Sequence, residues 1–155
     1  MQDYLNTYLE EDEEVQGHEV IDFSDPELFV PVYRFLLFCE DRTIILYGSR
    51  SSAKTTFALQ LKVIKCLSEP YFRCLLVRNK KDAIRASLHS NLIKVIEDWG
   101  LQDYFKYSKT PRGNLEVHCV NGNGFYPMGL VENLNSDGNA KGFNNPTDAI
   151  VDEAK

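Results

Sequence analysis

The chain lacks the features that would place it in a membrane or in an oxidising compartment. Among its 155 residues there is no run of about 18 apolar residues, the length that a membrane-spanning helix needs. It contains four cysteines and no Cys-x-x-Cys pair, which argues against a zinc site or a disulfide framework. Cys39, Cys66 and Cys74 lie in apolar stretches, which predicts buried free thiols. We therefore expect a protein of the reducing cytoplasm with no membrane partner.

Basic residues are absent from the beginning of the chain. Residues 1–33 contain ten acidic residues and no Lys or Arg, whereas the remaining 122 residues contain 17 basic and 13 acidic residues, a net charge of +4. We interpret residues 1–24 as an acidic tail, for which a solubilising role is the simplest, and residues 25–155 as one domain. The mildly basic domain permits contact with a nucleic-acid backbone and does not establish it.

A strand, a Ser-rich loop and a helix start follow one another in residues 43–56. The apolar run 43–47 predicts a strand, and the loop after it ends in Lys54 and Thr55, which is the layout of a phosphate-binding P-loop. Small loop residues allow successive N–H groups to point at one anion, and the positive end of the helix adds to the attraction. Lys54 is expected to reach the β- and γ-phosphates, and the Thr55 hydroxyl to hold Mg²⁺. The predicted nucleotide-binding residues are Gly48, Ser49, Arg50, Ser51, Ser52, Ala53, Lys54, Thr55 and Thr56.

The loop departs from the usual P-loop pattern at one position. The second glycine of G-x-x-x-x-G-K-[ST] is Ala53 here. Alanine has a Cβ, so a positive φ at this position would be strained. The alternative interpretation is a Ser-rich turn that precedes a helix start.

Two adjacent acidic residues follow a short apolar strand near the other end of the chain. The predicted strand 149–151 leads directly into Asp152 and Glu153. In P-loop ATPases, a strand beside the P-loop strand delivers an Asp to the Mg²⁺ shell, and an adjacent Glu can polarise the attacking water as a general base. The order and spacing of the two motifs together indicate binding of ATP with Mg²⁺. Lys54 and Glu153 are accordingly the predicted catalytic residues.

Strand and helix signals alternate along the chain, which predicts an α/β fold with parallel central strands of the P-loop NTPase type, flanked by helices. Asn-Gly between two extended runs predicts a small hairpin, and Pro127 would confine the second of these runs to an edge of the sheet. The predicted helices are a short one over 28–39, one over 54–67 and one that runs to Trp99 and stops at Gly100. The predicted strands are 43–47, 72–77, 115–120, 124–128 and 149–151, with a loop over 131–147.

Two of the predicted helices carry an apolar stripe. In the helix 54–67, the stripe consists of Phe57, Leu61, Ile64 and Leu67 at helical spacing. In the helix that runs to Trp99, the apolar face is formed by Ala83, Ile84, Leu88, Leu92, Val95, Ile96 and Trp99, for which core packing is the preferred interpretation.

Residues 30–155 resemble the ATPase domain of the tailed-phage terminase large subunits. The Ser-rich, Arg-containing loop 48–55 is similar to the P-loops of that family, and 75–78 with Lys80 and 85–87 resembles its second-strand signature. Trp99-Gly100-Leu101, the hairpin and Val151-Asp152-Glu153-Ala154 then follow in the family order. The match is specific as an ensemble, although no single segment is.

The resemblance implies a role for each matching residue. Lys54 and Thr55 would bind the phosphates and Mg²⁺, Asp152 would support the metal, and Glu153 would activate water. Arg50 would sense or stabilise the γ-phosphate, with a solvated loop cation as the alternative. The basic group Arg78, Lys80, Lys81 and Arg85 would contact DNA phosphates or a neighbouring subunit's nucleotide, with a solvated helix start as the alternative.

The resemblance also implies partners and a setting. A terminase large subunit uses Mg-ATP hydrolysis to drive double-stranded DNA into procapsids, in the cytoplasm of the infected bacterial host. Its partners are the DNA, the portal protein, the small terminase subunit and other copies of itself in a ring.

The sequence departs from the family after the Asp-Glu strand, because a coupling motif and a nuclease domain would follow Glu153 there. We therefore expect the P-loop domain to be incomplete at its C-terminal side, with no nuclease activity and weak ATPase activity. Two alternatives stay open: another P-loop ATPase that acts on nucleic acid, such as a helicase-like protein, and a catalytically silent nucleotide-binding assembly module.

Overall fold

A mixed sheet and several helical segments form the regular structure of the described residues. The computed structural model describes residues 25–39, 41–49, 51–110, 113–130 and 145–152. The strands are β1 (Arg73–Arg78), β2 (Phe105–Lys106), β3 (Val117–Cys119), β4 (Gly124–Gly129) and β5 (Asp148–Val151). The helical segments are α1 (Lys54–Ser68), α2 (Lys81–Ile84), a π turn (Arg85–His89), α3 (Ser90–Asp98) and 3-10 turns at Pro26–Leu28, Pro31–Leu36 and Gln102–Tyr104.

The strands lie in the order β2-β3-β4-β1-β5. β1 pairs in parallel with both β4 and β5, while β3 pairs antiparallel with β2 and β4. The predicted α/β class with parallel central strands and a small hairpin is therefore confirmed at this level, and the sheet is compatible with a P-loop-type domain. Parallel strands end at the same edge of a sheet, and the pairing of Val77 with Val151 brings the residues that follow β1 and β5 side by side.

Helix α1 confirms the predicted helix, with a buried face turned slightly from the predicted stripe. Phe57 is buried as predicted, and Leu59 and Val63 are buried beside it. Leu61 and Ile64, which the apolar pattern placed on the core face, are only partly buried at its margin. The reason is that both sides of α1 are apolar, so the sequence pattern alone does not distinguish the centre of the stripe from its border.

The predicted helix that runs to Trp99 is interrupted by a π turn at Arg85–His89, and α3 continues beyond it. Ile84, Leu88 and Leu92 are fully buried, which confirms the predicted apolar face. Gly100 has a φ of +66° and ends the helical segment, as the sequence predicts.

The predicted hairpin is confirmed by β3 and β4, which are joined by a turn with Gly122 at a φ of +88°. The two asparagines of this turn also contact the end of α1. The side chain of Asn121 donates to the carbonyl of Cys66 at 2.8 Å, and that of Asn123 donates to the same carbonyl at 2.8 Å and to Glu69 at 2.7 Å. The turn therefore caps the C-terminal end of α1.

The prediction that Pro127 would confine its strand to an edge is wrong. β4 lies between β3 and β1, and Pro127 pairs with Leu76 of β1. On the other side, β3 pairs only with Gly124 and Phe125, so that ladder ends before the proline. The Gly124 N–H donates toward β1, to the carbonyl of Phe72 at 3.2 Å. Because donors alternate along a strand, the nitrogen of residue 127 faces away from β1, where no ladder hydrogen bond is required.

The run 43–47 does not form the predicted strand. Ile45 and Tyr47 are 81% and 91% exposed, whereas a central strand of a parallel sheet is covered by its neighbours. A strand requires a ladder partner, and β5 ends the sheet on this side without pairing to 43–47 among the described residues. The short helix predicted over 28–39 is likewise replaced by 3-10 turns, the second of which begins at Pro31.

The cysteines are free thiols, as predicted. Cys66 and Cys74 are fully buried and Cys119 nearly so, but Cys39 is only half-buried and its thiol donates to Asp41 Oδ2 at 3.3 Å. Burial raises the pKa of the Cys74 thiol to about 12, which keeps it protonated at neutral pH. The three buried cysteines, Cys66, Cys74 and Cys119, pack as small residues of the core.

Some predictions concern residues outside the described part of the chain. They are the acidic tail over 1–24 and most of the loop over 131–147, of which only residues 145–147 are described. Within the described residues, no helix has the length and apolar composition needed to cross a membrane.

Candidate functional site

The predicted P-loop turns sharply between residue 48 and α1. Gly48 has a φ of +150°, and Ser51 and Ala53 have left-handed φ values of +63° and +56°. The positive φ that would strain an alanine is therefore present at Ala53. These turns bring the start of the loop back against the first residue of α1.

Lys54 closes this curled loop from inside. Its ammonium group donates to the carbonyls of Gly48 at 3.1 Å and Ser49 at 2.7 Å, and to Ser52 Oγ at 2.7 Å. These three contacts use the three protons of the ammonium group. Ser52 Oγ in turn donates to the carbonyl of Ser49 at 3.0 Å. The positive charge of Lys54 is thus held at the centre of the loop.

The N-terminal end of α1 lies at the same place. The first helical hydrogen bond runs from the Phe57 N–H to the Ala53 carbonyl at 3.0 Å. The N–H groups of Lys54, Thr55 and Thr56 precede this bond and belong to the first turn, where backbone donors have no acceptor within the helix. Together with the helix dipole, they form an environment that favours an anion.

The structure brings the two predicted metal-binding residues together. Thr55 Oγ1 lies 3.5 Å from Asp152 Oδ1, although 97 positions separate them in the chain. Thr55 belongs to the first turn of α1, and Asp152 directly follows β5. The Asp152 N–H donates to the carbonyl of Val77 at 3.1 Å, which continues the pairing between β5 and β1 by one residue.

Arg78 is a neighbour of this pair that sequence reasoning assigned to another role. Its Nε lies 3.3 Å from Asp152 Oδ2, and its Nη1 donates to the carbonyl of Ala83 at 3.2 Å. The predicted role of Arg78, a contact with DNA or with a neighbouring subunit's nucleotide, does not include this contact with Asp152. The signal lay in the sheet register, because Arg78 ends β1 at the level where β5 delivers Asp152.

Arg85, another member of the predicted basic group, contacts a segment other than the loop. Arg85 donates from its guanidinium to the carbonyls of Thr110 at 3.0 Å and Gly113 at 2.7 Å. It therefore ties the π turn to the segment between β2 and β3. Lys80 is exposed, and the side chain of Lys81 is outside the described part of the structure.

Tyr33 is a second loop contact that sequence reasoning missed. Its hydroxyl donates to the carbonyl of Ser52 at 3.0 Å and lies 3.5 Å from Ser52 Oγ. Its ring lies beside that of Phe57, with 5.3 Å between the ring centroids. Tyr33 lies 19 positions before Ser52, and nothing in the sequence around it indicates this contact.

Two of the predicted site residues, Arg50 and Glu153, lie outside the described residues, so their roles remain predictions. The described part of the chain contains no cluster of three or more His, Cys, Asp or Glu residues that could hold a metal ion. The Thr55 hydroxyl and the Asp152 carboxylate fit Mg²⁺ by their chemistry, since this ion prefers oxygen ligands and is usually bound through few protein groups together with phosphates.

The described residues thus define an α/β protein with a mixed five-stranded sheet and a curled, lysine-centred loop at the start of a helix. Comparison with known families matches residues 40–155 to the phage terminase large subunit family. This match covers more than half of the chain and both motifs of the site, and the chain belongs to that family. Membership supports a role in phage DNA packaging. The comparisons with curated proteins and with solved structures gave no match.

Proposed function

We propose that this chain is the ATP-binding and ATP-hydrolysing part of a motor that uses Mg-ATP to drive double-stranded DNA into procapsids. Two observations support the proposal. The chain belongs to the phage terminase large subunit family, whose members are generally ATPases. The single structural observation that carries it is the position of Lys54, whose ammonium group lies inside the turn that precedes α1.

In this proposal, the curled loop binds the triphosphate. The Lys54 ammonium group exchanges its contacts with the Gly48 and Ser49 carbonyls for contacts with phosphate oxygens. Such charge-assisted contacts are about twice as strong as those to neutral acceptors. The N–H groups of Thr55 and Thr56 at the start of α1 complete the cradle.

Thr55 and Asp152 would hold the Mg²⁺ that accompanies the nucleotide. When bound, this ion neutralises charge on the β- and γ-phosphates. Arg78 contributes by restraining the Asp152 carboxylate through Oδ2, which leaves Oδ1 directed at Thr55. In this proposal, Glu153 orients the attacking water as general base and Arg50 contacts the γ-phosphate, as the family resemblance implies.

The proposed partners follow from family membership. They are double-stranded DNA, the portal protein, the small terminase subunit and further copies of the chain in a ring, in the cytoplasm of the bacterial host. Membership also favours DNA packaging over a helicase-like role and over a catalytically silent module.

Calorimetric titration with Mg-ATP tests the proposal directly. Lys54→Ala is expected to weaken binding about 10- to 100-fold, because hydrogen bonds to charged groups contribute about 1.5–3 kcal/mol. Lys94→Ala is the matched control, since Lys94 is an exposed lysine of α3. Equal affinity of the unmodified chain and the Lys54 variant, with both cooperatively folded, would refute the proposal.

A further inference from the structure

The segment before the family-matched region packs along α1 and reaches the loop. Gln60 of α1 donates to the carbonyl of Leu28 at 3.0 Å. Phe29 lies edge-on to Trp99, with 5.7 Å between ring centroids, and is buried. Tyr33 follows on the 3-10 turn Pro31–Leu36. These contacts fix residues 28–36, which precede the matched residues 40–155.

Packing against Phe57 orients the ring of Tyr33, and this orientation directs the Tyr33 hydroxyl at the carbonyl of Ser52. Phe57 is fully buried in the first turns of α1, and the Tyr33 ring packs against it at an interplanar angle of 33°. The hydroxyl then meets the carbonyl of Ser52 at 3.0 Å, within the usual range for such a hydrogen bond.

This hydrogen bond orients one peptide group of the loop. The described peptide bonds include no cis bond, so the Ser52 carbonyl and the Ala53 N–H point in opposite directions. Holding the carbonyl toward Tyr33 directs the Ala53 N–H to the other side of the peptide plane. The next residue adopts a left-handed conformation that an alanine does not favour by itself, with φ of +56°.

Ser52 connects the same peptide group to the lysine. Its Oγ accepts from Lys54 at 2.7 Å and donates to the Ser49 carbonyl at 3.0 Å. Tyr33 therefore acts on the residue that links the beginning of the loop to its lysine. Removal of the hydroxyl would release the peptide without removing any group that contacts a phosphate.

We propose that Tyr33 is a positioning residue of the nucleotide site: its hydroxyl holds the Ser52–Ala53 peptide in the orientation that receives the triphosphate. This inference rests on the proposed function and extends it to a residue outside the family-matched region. Because Tyr33 acts through the loop backbone, its effect is the same for every ligand that carries the triphosphate, whatever its base.

Tyr33→Phe tests the proposal, because it removes the hydroxyl and keeps the ring against Phe57. We expect the dissociation constants of Mg-ATP, Mg-GTP and magnesium tripolyphosphate to rise by a common factor of about five, the loss of one neutral hydrogen bond. The binding stoichiometry in calorimetry should stay equal to that of the unmodified chain. Tyr107→Phe is the matched control, since it removes a hydroxyl that bonds to Glu97 at 3.3 Å; it should leave all three constants unchanged.

Three outcomes would overturn the inference. Unchanged affinities in Tyr33→Phe would show that the hydroxyl does not position the loop, and a loss confined to Mg-ATP would indicate contact with the base. A reduced stoichiometry with unchanged affinity would indicate a role in folding alone. Lys54-dependent binding in the unmodified chain keeps these outcomes separate from failure of the proposed function, since absence of such binding would overturn both proposals.

Discussion

At the scale of single residues, Ala53 shows how the site tolerates a departure from its motif. The backbone adopts the left-handed conformation that glycine occupies freely, with φ of +56° at an alanine. The Lys54 contacts are nevertheless formed. The substitution therefore leaves the loop intact and places strain in it.

Ala53→Gly is expected to stabilise the chain. Relief of a left-handed alanine contributes about 1–2 kcal/mol, and the greater freedom of glycine in the unfolded chain offsets about 0.5–1 kcal/mol of this. Urea unfolding should therefore show a gain of roughly 0.5–1 kcal/mol. Ala58→Gly within α1 provides the control, with an expected loss of about 1 kcal/mol. Equal losses in the two variants would contradict the strained conformation.

Asp152 is the residue on which metal dependence should be measured. If the proposed function holds, Asp152→Asn weakens the binding of Mg²⁺ beside Thr55, and it also removes the ion pair with Arg78. We expect Mg²⁺ to strengthen ATP binding to the unmodified chain, and this enhancement to fall about tenfold in the variant. Titrations with Mg²⁺ and with a chelator measure the difference. Asp103→Asn, at an exposed position, should keep the full enhancement.

At the scale of elements, the predictions that are confirmed rest on local signals. A long apolar stripe with a Lys-Thr start identifies α1, and a continuous apolar run identifies β1. Asn-Gly identifies the hairpin. The predictions that are wrong needed information on partners. Pro127 is tolerated because β3 ends early, and 43–47 has no described strand to pair with.

The candidate site shows the same division. The loop and Asp152 can be predicted from the sequence, because each belongs to a short contiguous motif of recognisable residue types. Tyr33 and Arg78 were missed in these roles, because their contacts arise from packing on Phe57 and from the register of β1 with β5. Long-range placement of this kind leaves no trace in the local pattern.

Asn123 joins the turn between β3 and β4 to the end of α1 and to the start of β1. We therefore expect its removal to lower the stability of the fold strongly. Its side chain donates to the carbonyls of Cys66 and Glu69, and its Oδ1 accepts from the Phe72 N–H at 2.8 Å. Asn123→Ala leaves these buried groups unpaired and should lower the free energy of unfolding by about 2–4 kcal/mol.

Chemical denaturation measures this change, and Asn114→Ala is its matched control. The Asn114 side chain accepts from the Glu116 N–H at 3.2 Å in an exposed position, so its removal should cost about 0.5 kcal/mol or less. Similar losses in both variants would show that the buried contacts of Asn123 contribute little.

At the scale of the whole molecule, α1 connects the site to the rest of the fold. Lys54 and Thr55 occupy its first turn, Asn123 caps its end, and in between Lys62 forms an ion pair with Asp148 at the start of β5. The same helix therefore holds both ends of β5 in place, since Thr55 contacts Asp152 just beyond its last residue. Loss of the ion pair between Lys62 and Asp148 should therefore lower the free energy of unfolding of the whole chain.

The ion pair of Asp148 predicts how stability depends on pH. Burial by itself would raise the pKa of Asp148, but the hydrogen bond from Lys62 and the charges of Lys62 and Lys65 outweigh it and hold the pKa below its usual value. A carboxylate whose pKa is lower in the folded state stabilises the fold above its unfolded pKa of about 3.9. This contribution should be present at pH 5 and above and be lost as the pH falls below that range.

Asp148→Asn should therefore lower the free energy of unfolding by about 1–3 kcal/mol at pH 7, because Lys62 is left half-buried without its partner. The difference between the unmodified chain and the variant should shrink steadily between pH 5 and pH 3, since over this range the Asp148 carboxylate becomes protonated more readily in the unfolded chain than in the folded one. Urea unfolding at each pH measures this difference, with Asp103→Asn as the exposed control that should show none. A difference that stays constant down to pH 3 would mean that the Asp148 side chain stabilises the fold by packing, and that its charge contributes nothing to the attachment of β5 to α1.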